Sequence, residues 1–135
     1  MRNRSIRRGA AAVEAAGVLP FLLYLCVIGA DWARLMYYTI TIEHCARNGA
    51  LWASDSIYAA QSPYATLTDA ALADAPNLSP APDVSSSNTT DGAGNAAVKV
   101  TVSMTFSTIT HFPGVPTSES LTRTVQMRVA PVTTR

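Results

Sequence analysis

A chain of 135 residues has room for one domain, or for a small domain and an anchor, and excludes a multidomain enzyme. Charged residues make up only 14% of it, against roughly 25% in typical globular chains, while the hydrophobic share of 48% is ordinary. Ten basic and nine acidic residues give a net charge of +1, a balance that predicts no nucleic acid or other polyanionic partner.

The charges are unevenly placed. Arg2, Arg4, Arg7 and Arg8 fall in the first eight positions with no acid among them, and the stretch from Ala10 to Ala30 then carries a single charge, Glu14. As a helix, those 21 residues span about 31 Å, close to the roughly 30 Å hydrocarbon core of a bilayer. Arginines before the span, with only Asp31 and Arg34 just behind it, orient the N-terminus toward the cytoplasm by the positive-inside bias. The competing reading is a cleaved signal peptide ending at Ile28-Gly29-Ala30, which leaves a secreted or periplasmic binding module. An acid inside the apolar run, and a helical pattern that continues past Ala30, count against it.

Residues 31 to 61 contain no proline, and Trp32, Leu35, Met36, Ala46, Ala50, Ala53 and Ile57 recur at helical spacing, which predicts one long helix continuing the span. Asp31 with Arg34 and Glu43 with Arg47 are placed to form helical ion pairs on an exposed face. Ser62-Pro63 marks a stop, after which a short amphipathic helix is expected from about 65 to 75, closed by Pro76. Residues 76 to 97, rich in Pro, Ser, Asn, Asp, Gly and Ala, read as linker with room for one weak edge strand near 84 to 90.

The clearest strand follows. Val98, Val100, Val102, Met104 and Phe106 alternate with Lys99, Thr101, Ser103, Thr105 and Ser107, giving one apolar and one wet face. Leu121, Val125, Met127 and Val129 repeat the pattern, with Arg123 as the one violation. The segment from Thr108 to Ser120 holds Pro113-Gly114 and Pro116 and is too long for a tight turn, so an antiparallel pair with a long loop is expected. Strands with one apolar face need a covering helix, and small residues at 46, 50 and 53 let a sheet approach closely. The expected class is α+β: a long N-terminal helix, transmembrane then extracytoplasmic, packed on a small antiparallel sheet. The corresponding divisions are 1–9, 10–30, 31–75, 76–97 and 98–131.

Nothing in the spacing predicts catalysis or a cofactor. The two histidines, His44 and His111, form no His-x-x-x-His pair, and there is no Cys-x-x-Cys and no glycine-rich phosphate loop, so neither a metal nor a small-molecule substrate is expected. Cys26 and Cys45 lie about 28 Å apart along one helix and cannot pair within a chain. Cys45 reads as a small helix-face residue, with an intermolecular disulfide as the alternative in an oxidising compartment.

Arg7-Arg8-Gly9-Ala10-Ala11-Ala12-Val13-Glu14 puts a glycine directly before an apolar helix and a glutamate five residues after it. This start resembles the pilin and pseudopilin superfamily, whose leader is cut after the glycine by a prepilin peptidase. The wider set, Glu14 with Val18-Leu19-Pro20, Arg34, Tyr37 and Ala46-Arg47-Asn48-Gly49-Ala50, resembles the TadE-like pseudopilins of tight-adherence (Flp) type IV pilus systems. The Met127-Arg128 end of the last strand is similar to that family too. Ala15 stands where the family usually has a bulky aromatic, and Ala33 where a glycine is common. The resemblance implies a pilin-like fold and a non-enzymatic minor pilin or pseudopilin in the bacterial inner membrane. Its implied role is assembly of a surface-attachment pilus, and its implied partners are the prepilin peptidase, other pilins, inner-membrane assembly proteins and membrane lipid.

Physical chemistry gives these residues parts of their own. An ionisable group inside a membrane helix costs on the order of 2.5 to 3.5 kcal/mol at the bilayer centre on insertion scales, so Glu14 needs a partner or a place near an end. Cleavage after Gly9 makes Ala10 the terminus and puts Glu14 in the first turns, where the helix dipole favours an anion and a neighbour's terminal amine can pair with it. Ala12 with Ala16, and Val13 with Gly17, give a smooth surface for close helix contact, and Pro20 removes one backbone hydrogen bond within the span. Removing the leader takes away four arginines and leaves six basic against nine acidic residues, a net −3.

Overall fold

The structure, a computed structural model, describes residues 4–110 and 115–131, with side chains described from Gly9 onward. Arg2, the side chains of Arg4, Arg7 and Arg8, and the loop residues His111 and Pro113-Gly114 lie outside the described residues. The elements are α1 (Arg4–Ser54), α2 (Ser56–Gln61), α3 (Leu67–Leu72), β1 (Asp83–Thr90), β2 (Ala96–Ser107) and β3 (Ser118–Arg128). The strands form one antiparallel meander in the order β1-β2-β3, with the C-terminal part of α1 across one face.

α1 runs through Pro20 without interruption for 51 residues, roughly 76 Å, so the helix of the apolar span and the helix that covers the sheet are one rod. It stops earlier than the expected 61. Asp55 turns extended, and its side chain accepts from the Ile57 and Tyr58 amides at 2.8 and 3.2 Å, which caps the start of α2. An aspartate that can satisfy the free amides of a new helix competes well with continuation of the old one. The helix expected over 65 to 75 is the shorter α3, whose first turn is capped by Thr66 through the Asp69 amide at 3.1 Å.

The alternation of β2 is realised. Val98, Val100, Val102, Met104 and Phe106 are buried against α1, while Thr101 and Thr124 join hydroxyls at 2.9 Å on the outer face. β3 pairs with β2 in the register Val98↔Met127, Val100↔Val125 and Met104↔Leu121, so the apolar residues of both strands share the helix-facing side. Within the stretch expected to be linker, the edge strand expected near 84 to 90 is β1. All eight residues of β1 pair with β2, from Asp83↔Ser103 to Thr90↔Ala96, and β2 itself begins at Ala96. The Ser/Thr/Asn composition of β1 conceals the strand because its burial pattern hardly alternates.

On α1 the buried stripe is Asp31, Leu35, Tyr38, Ile42, Cys45, Ala46, Gly49, Ala50 and Ala53, all buried or partly buried. Trp32, Met36 and Ile57, which shared in the helical spacing, are exposed. Trp32 and Met36 stand one position after Asp31 and Leu35 of the seam, and Ile57 belongs to α2. Cys45 is fully buried in the core, and burial pushes its thiol pKa up, with Asp74 adding to the effect. In this fold it is inaccessible to a second chain's thiol, which removes the intermolecular disulfide unless the core opens.

The turn between β1 and β2 is held by Asp91. Its carboxylate accepts from the Ala93 and Asn95 amides at 2.9 and 2.7 Å, and Gly94 adopts φ +81, a left-handed conformation that a side chain disfavours. At the same end of the molecule the Ala130 amide donates to the Ser54 carbonyl at 2.8 Å, returning the chain to the end of α1.

Candidate functional site

The residues singled out by sequence do not converge on a pocket. They occupy three places along α1, and Gly9 and Gly49 are about 60 Å apart on the helix.

The first is the projecting N-terminal part. Every residue from Gly9 to Cys26 is exposed, and Val18, Leu19, Phe21, Leu22, Leu23 and Leu25 point outward on all sides of the helix. A helix that is apolar all round is stable only inside protein or lipid, and none of this window is buried by the chain itself. Gly9, Ala10, Ala12, Glu14, Ala16, Gly17 and Pro20 all lie here. Ala10 and Glu14 are one turn apart and share a face, as do Ala12 and Ala16. A β-carbon added at Gly9 or Gly17 would meet nothing within 4 Å, so neither glycine is required by packing within the chain. Glu14 makes no ion pair among the described residues.

The second place is the junction where α1 enters the folded domain. Asp31 was expected on an exposed face with Arg34, and the structure corrects this. The Asp31 side chain is only 2% exposed and holds the β2–β3 loop, accepting from the Ile109 and Thr110 amides at 3.4 and 3.3 Å and from the Thr110 hydroxyl. Arg34 Nη1 is 3.3 Å from the Asp31 carboxylate, and its guanidinium lies over the rings of Phe106 (5.3 Å) and Tyr38 (5.9 Å). The sequence carried half of this arrangement, the Asp-x-x-Arg spacing. The other half joins residues 79 apart, and no local pattern announces it.

The Thr110 hydroxyl bond, outweighing the opposing effect of burial and helped by the two amides and Arg34, holds the Asp31 carboxyl below its ordinary value. A depressed carboxyl contributes stability that is fully present above the unfolded pKa, about 3.9, and is lost as pH falls through the lower folded value. Hydrogen exchange at the Ile109 and Thr110 amides should therefore be slow at neutral pH and quicken, relative to amides in β2, below the usual carboxylate range. Asp31→Asn should show weak protection at both amides at every pH. Unchanged protection in that variant would mean that the carboxylate does not hold the loop.

The third place is the helix–sheet contact. Ala46 and Ala50 are fully buried beneath the sheet, and an added β-carbon at Gly49 would come within 3.1 Å of Ala71 Cβ and 3.2 Å of Val100 Cγ1. Small side chains at 46, 49 and 50 are what let α1, α3 and β2 meet. Asn48 Nδ2 donates to Asp74 at 2.7 Å, tying α1 to the end of α3. Arg47 bonds Glu43 at 2.6 Å on the outside, beside Arg123, Thr124, Val125 and Met127 in an open groove of about 500 Å³. Arg123, the alternation violation in β3, thus sits at the rim of the contact with its head in the groove. Tyr37 is exposed and packs edge-on against Tyr38 at 6.0 Å.

Among the described residues no three His, Cys, Asp or Glu side chains are grouped to hold a metal ion. The arrangement suits holding and packing a helix.

The family model of TadE-like proteins matches residues 9–51. These residues form a TadE-like region. The match begins at the glycine before the apolar helix and ends three residues before α1 does, so it takes in all three places just described. No curated protein and no solved structure matches the chain. The TadE-like match and a helix long and apolar enough to cross a membrane fall on the same part of the chain.

Proposed function

We propose that this chain is a minor pilin or pseudopilin that takes part in assembling a tight-adherence (Flp) type IV pilus for surface attachment. Residues 10–30 anchor it in the bacterial inner membrane with the N-terminus in the cytoplasm, and a prepilin peptidase removes the leader after Gly9. Its partners are that peptidase, other pilins and the inner-membrane assembly proteins. The observation that carries this reading is the single continuous rod: a helix apolar on every side from Ala10 to Ala30 that becomes, without a break, the core helix of the folded domain. Such a rod ties the position of the folded domain to the position of the helix, which a filament subunit requires. The same continuity argues against a signal peptide cut at Ala30, since that cut would fall inside a regular helix, directly before the buried Asp31.

Glu14 is the one charge on the exposed apolar surface, and in this reading it pairs with the terminal amine of a neighbouring subunit once Ala10 is exposed. Glu14→Ala should leave the protein in the membrane fraction at normal abundance but sharply reduce pilus number and surface attachment in its own host. Normal piliation with Glu14→Ala would contradict the pairing role.

A further inference from the structure

β2 runs back along α1. Val100 lies against Gly49, Phe106 packs on Tyr38, and Ile109 and Thr110 reach Asp31. The lengths agree: 18 helical residues from 49 to 31 rise about 27 Å, and nine extended residues from 100 to 109 rise about 30 Å. The β2–β3 loop is thereby delivered to the point where the apolar span ends, while the β1–β2 turn and the Ala130–Ser54 contact lie at the opposite end of the sheet.

Three further features single out this end. The ten residues from Thr108 to Thr117 contain no Asp, Glu, Lys or Arg. Ile109 is 70% exposed although both its neighbours in the chain are held, Thr108 through its hydroxyl to the Pro116 carbonyl at 3.1 Å and Thr110 to Asp31. Trp32, two residues beyond the span, is 40% exposed beside the same loop, and indole side chains favour the headgroup level of a bilayer. The described start of the loop is therefore held on both sides of an exposed apolar side chain, next to an aromatic at the depth where such groups partition.

We infer that the start of the β2–β3 loop, Thr108 to Thr110, clamped by Asp31, is a membrane-seating surface: Ile109 and Trp32 rest in the headgroup–acyl boundary of the outer leaflet of the inner membrane. The partner is lipid. This rests on the anchor reading of residues 10–30, and it adds a second point of contact that sets the tilt of the folded domain before the subunit is extracted. Asp31 acts as the positioning residue. Its bonds to two backbone amides remove polar groups that are costly to present to lipid.

The test is spin-label accessibility in the full chain, reconstituted into phosphatidylethanolamine/phosphatidylglycerol vesicles. Labels are placed by Ile109→Cys, Ser87→Cys or Leu22→Cys in a Cys26→Ser background, with the buried Cys45 left in place. Position 109 is expected to be several-fold less accessible to an aqueous nickel reagent than position 87 on β1, and more accessible than position 22 in the span. Adding Asp31→Asn should move position 109 toward the value at 87. Equal accessibility at 109 and 87, with 22 still protected, overturns the seating while leaving the anchor intact; loss of protection at 22 as well overturns both. No change at 109 on adding Asp31→Asn overturns the role given to the clamp.

Discussion

Replacing Gly49 by leucine is expected to abolish the cooperative unfolding transition of the helix–sheet domain while leaving the apolar part of α1 in the membrane. A β-carbon alone at this position would stand 3.1 Å from Ala71 Cβ and 3.2 Å from Val100 Cγ1, inside the 3.5 to 4.0 Å at which carbon atoms attract best. Leucine brings three more carbons into a space bounded by α3 on one side and the central strand on the other. Overpacking typically costs about 1 to 3 kcal/mol, and more where the surrounding elements cannot separate independently. Here Val100 is fixed by strands on both sides, and α3 is tied back through Asn48 and Asp74. Gly49→Ala should be far milder. It needs a shift of a few tenths of an ångström but gains roughly 1 kcal/mol of helix propensity, so the variant stays folded. Urea titration of the full chain in detergent, followed by near-ultraviolet circular dichroism, distinguishes the two, and a wild-type midpoint for Gly49→Leu would contradict the packing described.

The second large effect is expected at Phe106. Its side chain is 2% exposed, meets Tyr38 edge-on at 5.2 Å, and lies under the Arg34 guanidinium. Truncation to alanine should cost about 3 to 5 kcal/mol from the cavity and lost burial, with the cation–π contact contributing roughly 0.5 to 1 kcal/mol of it. A domain with a stability of about 5 to 15 kcal/mol would lose a large fraction of it. Val84→Ala, on the edge strand and only partly buried, should shift the same midpoint much less. Equal shifts for the two variants would mean that Phe106 is not a keystone between β2 and α1.

What the sequence disclosed and what it hid divide along a physical line. Regular alternation in 98–107 and a long apolar helix are local, periodic signals, and they predicted β2, α1 and the α+β class. Ala46, Ala50 and Ala53 were legible as a surface of close approach because small side chains recur there on one face of the helix, whereas Gly49, which makes the tightest approach, was not read that way. Asp31 was misplaced because its decisive partners, Ile109 and Thr110, are distant in sequence, leaving Arg34 as the only visible neighbour. Trp32 and Met36 shared in the helical spacing yet are exposed, because periodicity reports an apolar face without saying which of two adjacent faces meets the sheet. β1 was legible only as a weak edge strand because a strand of serine, threonine and asparagine is stabilised by its ladder with β2 rather than by an apolar face.

The residues proposed for processing stand apart from this comparison. Gly9, Ala10 and Glu14 lie on an exposed helix where packing within the chain requires none of them. In the proposed function their pattern finds its reason in other molecules; the TadE-like match begins at Gly9, and the residues before it carry the charge that would direct insertion.

The central claim is that this is a membrane-anchored subunit trimmed after Gly9, and its most direct test is the mass of the N-terminal peptide of the protein isolated from its own host's membrane fraction. The account predicts a mature chain beginning at Ala10, with the leader arginines gone and the whole apolar helix retained. A chain still beginning at Met1, or one beginning at Asp31, would contradict it.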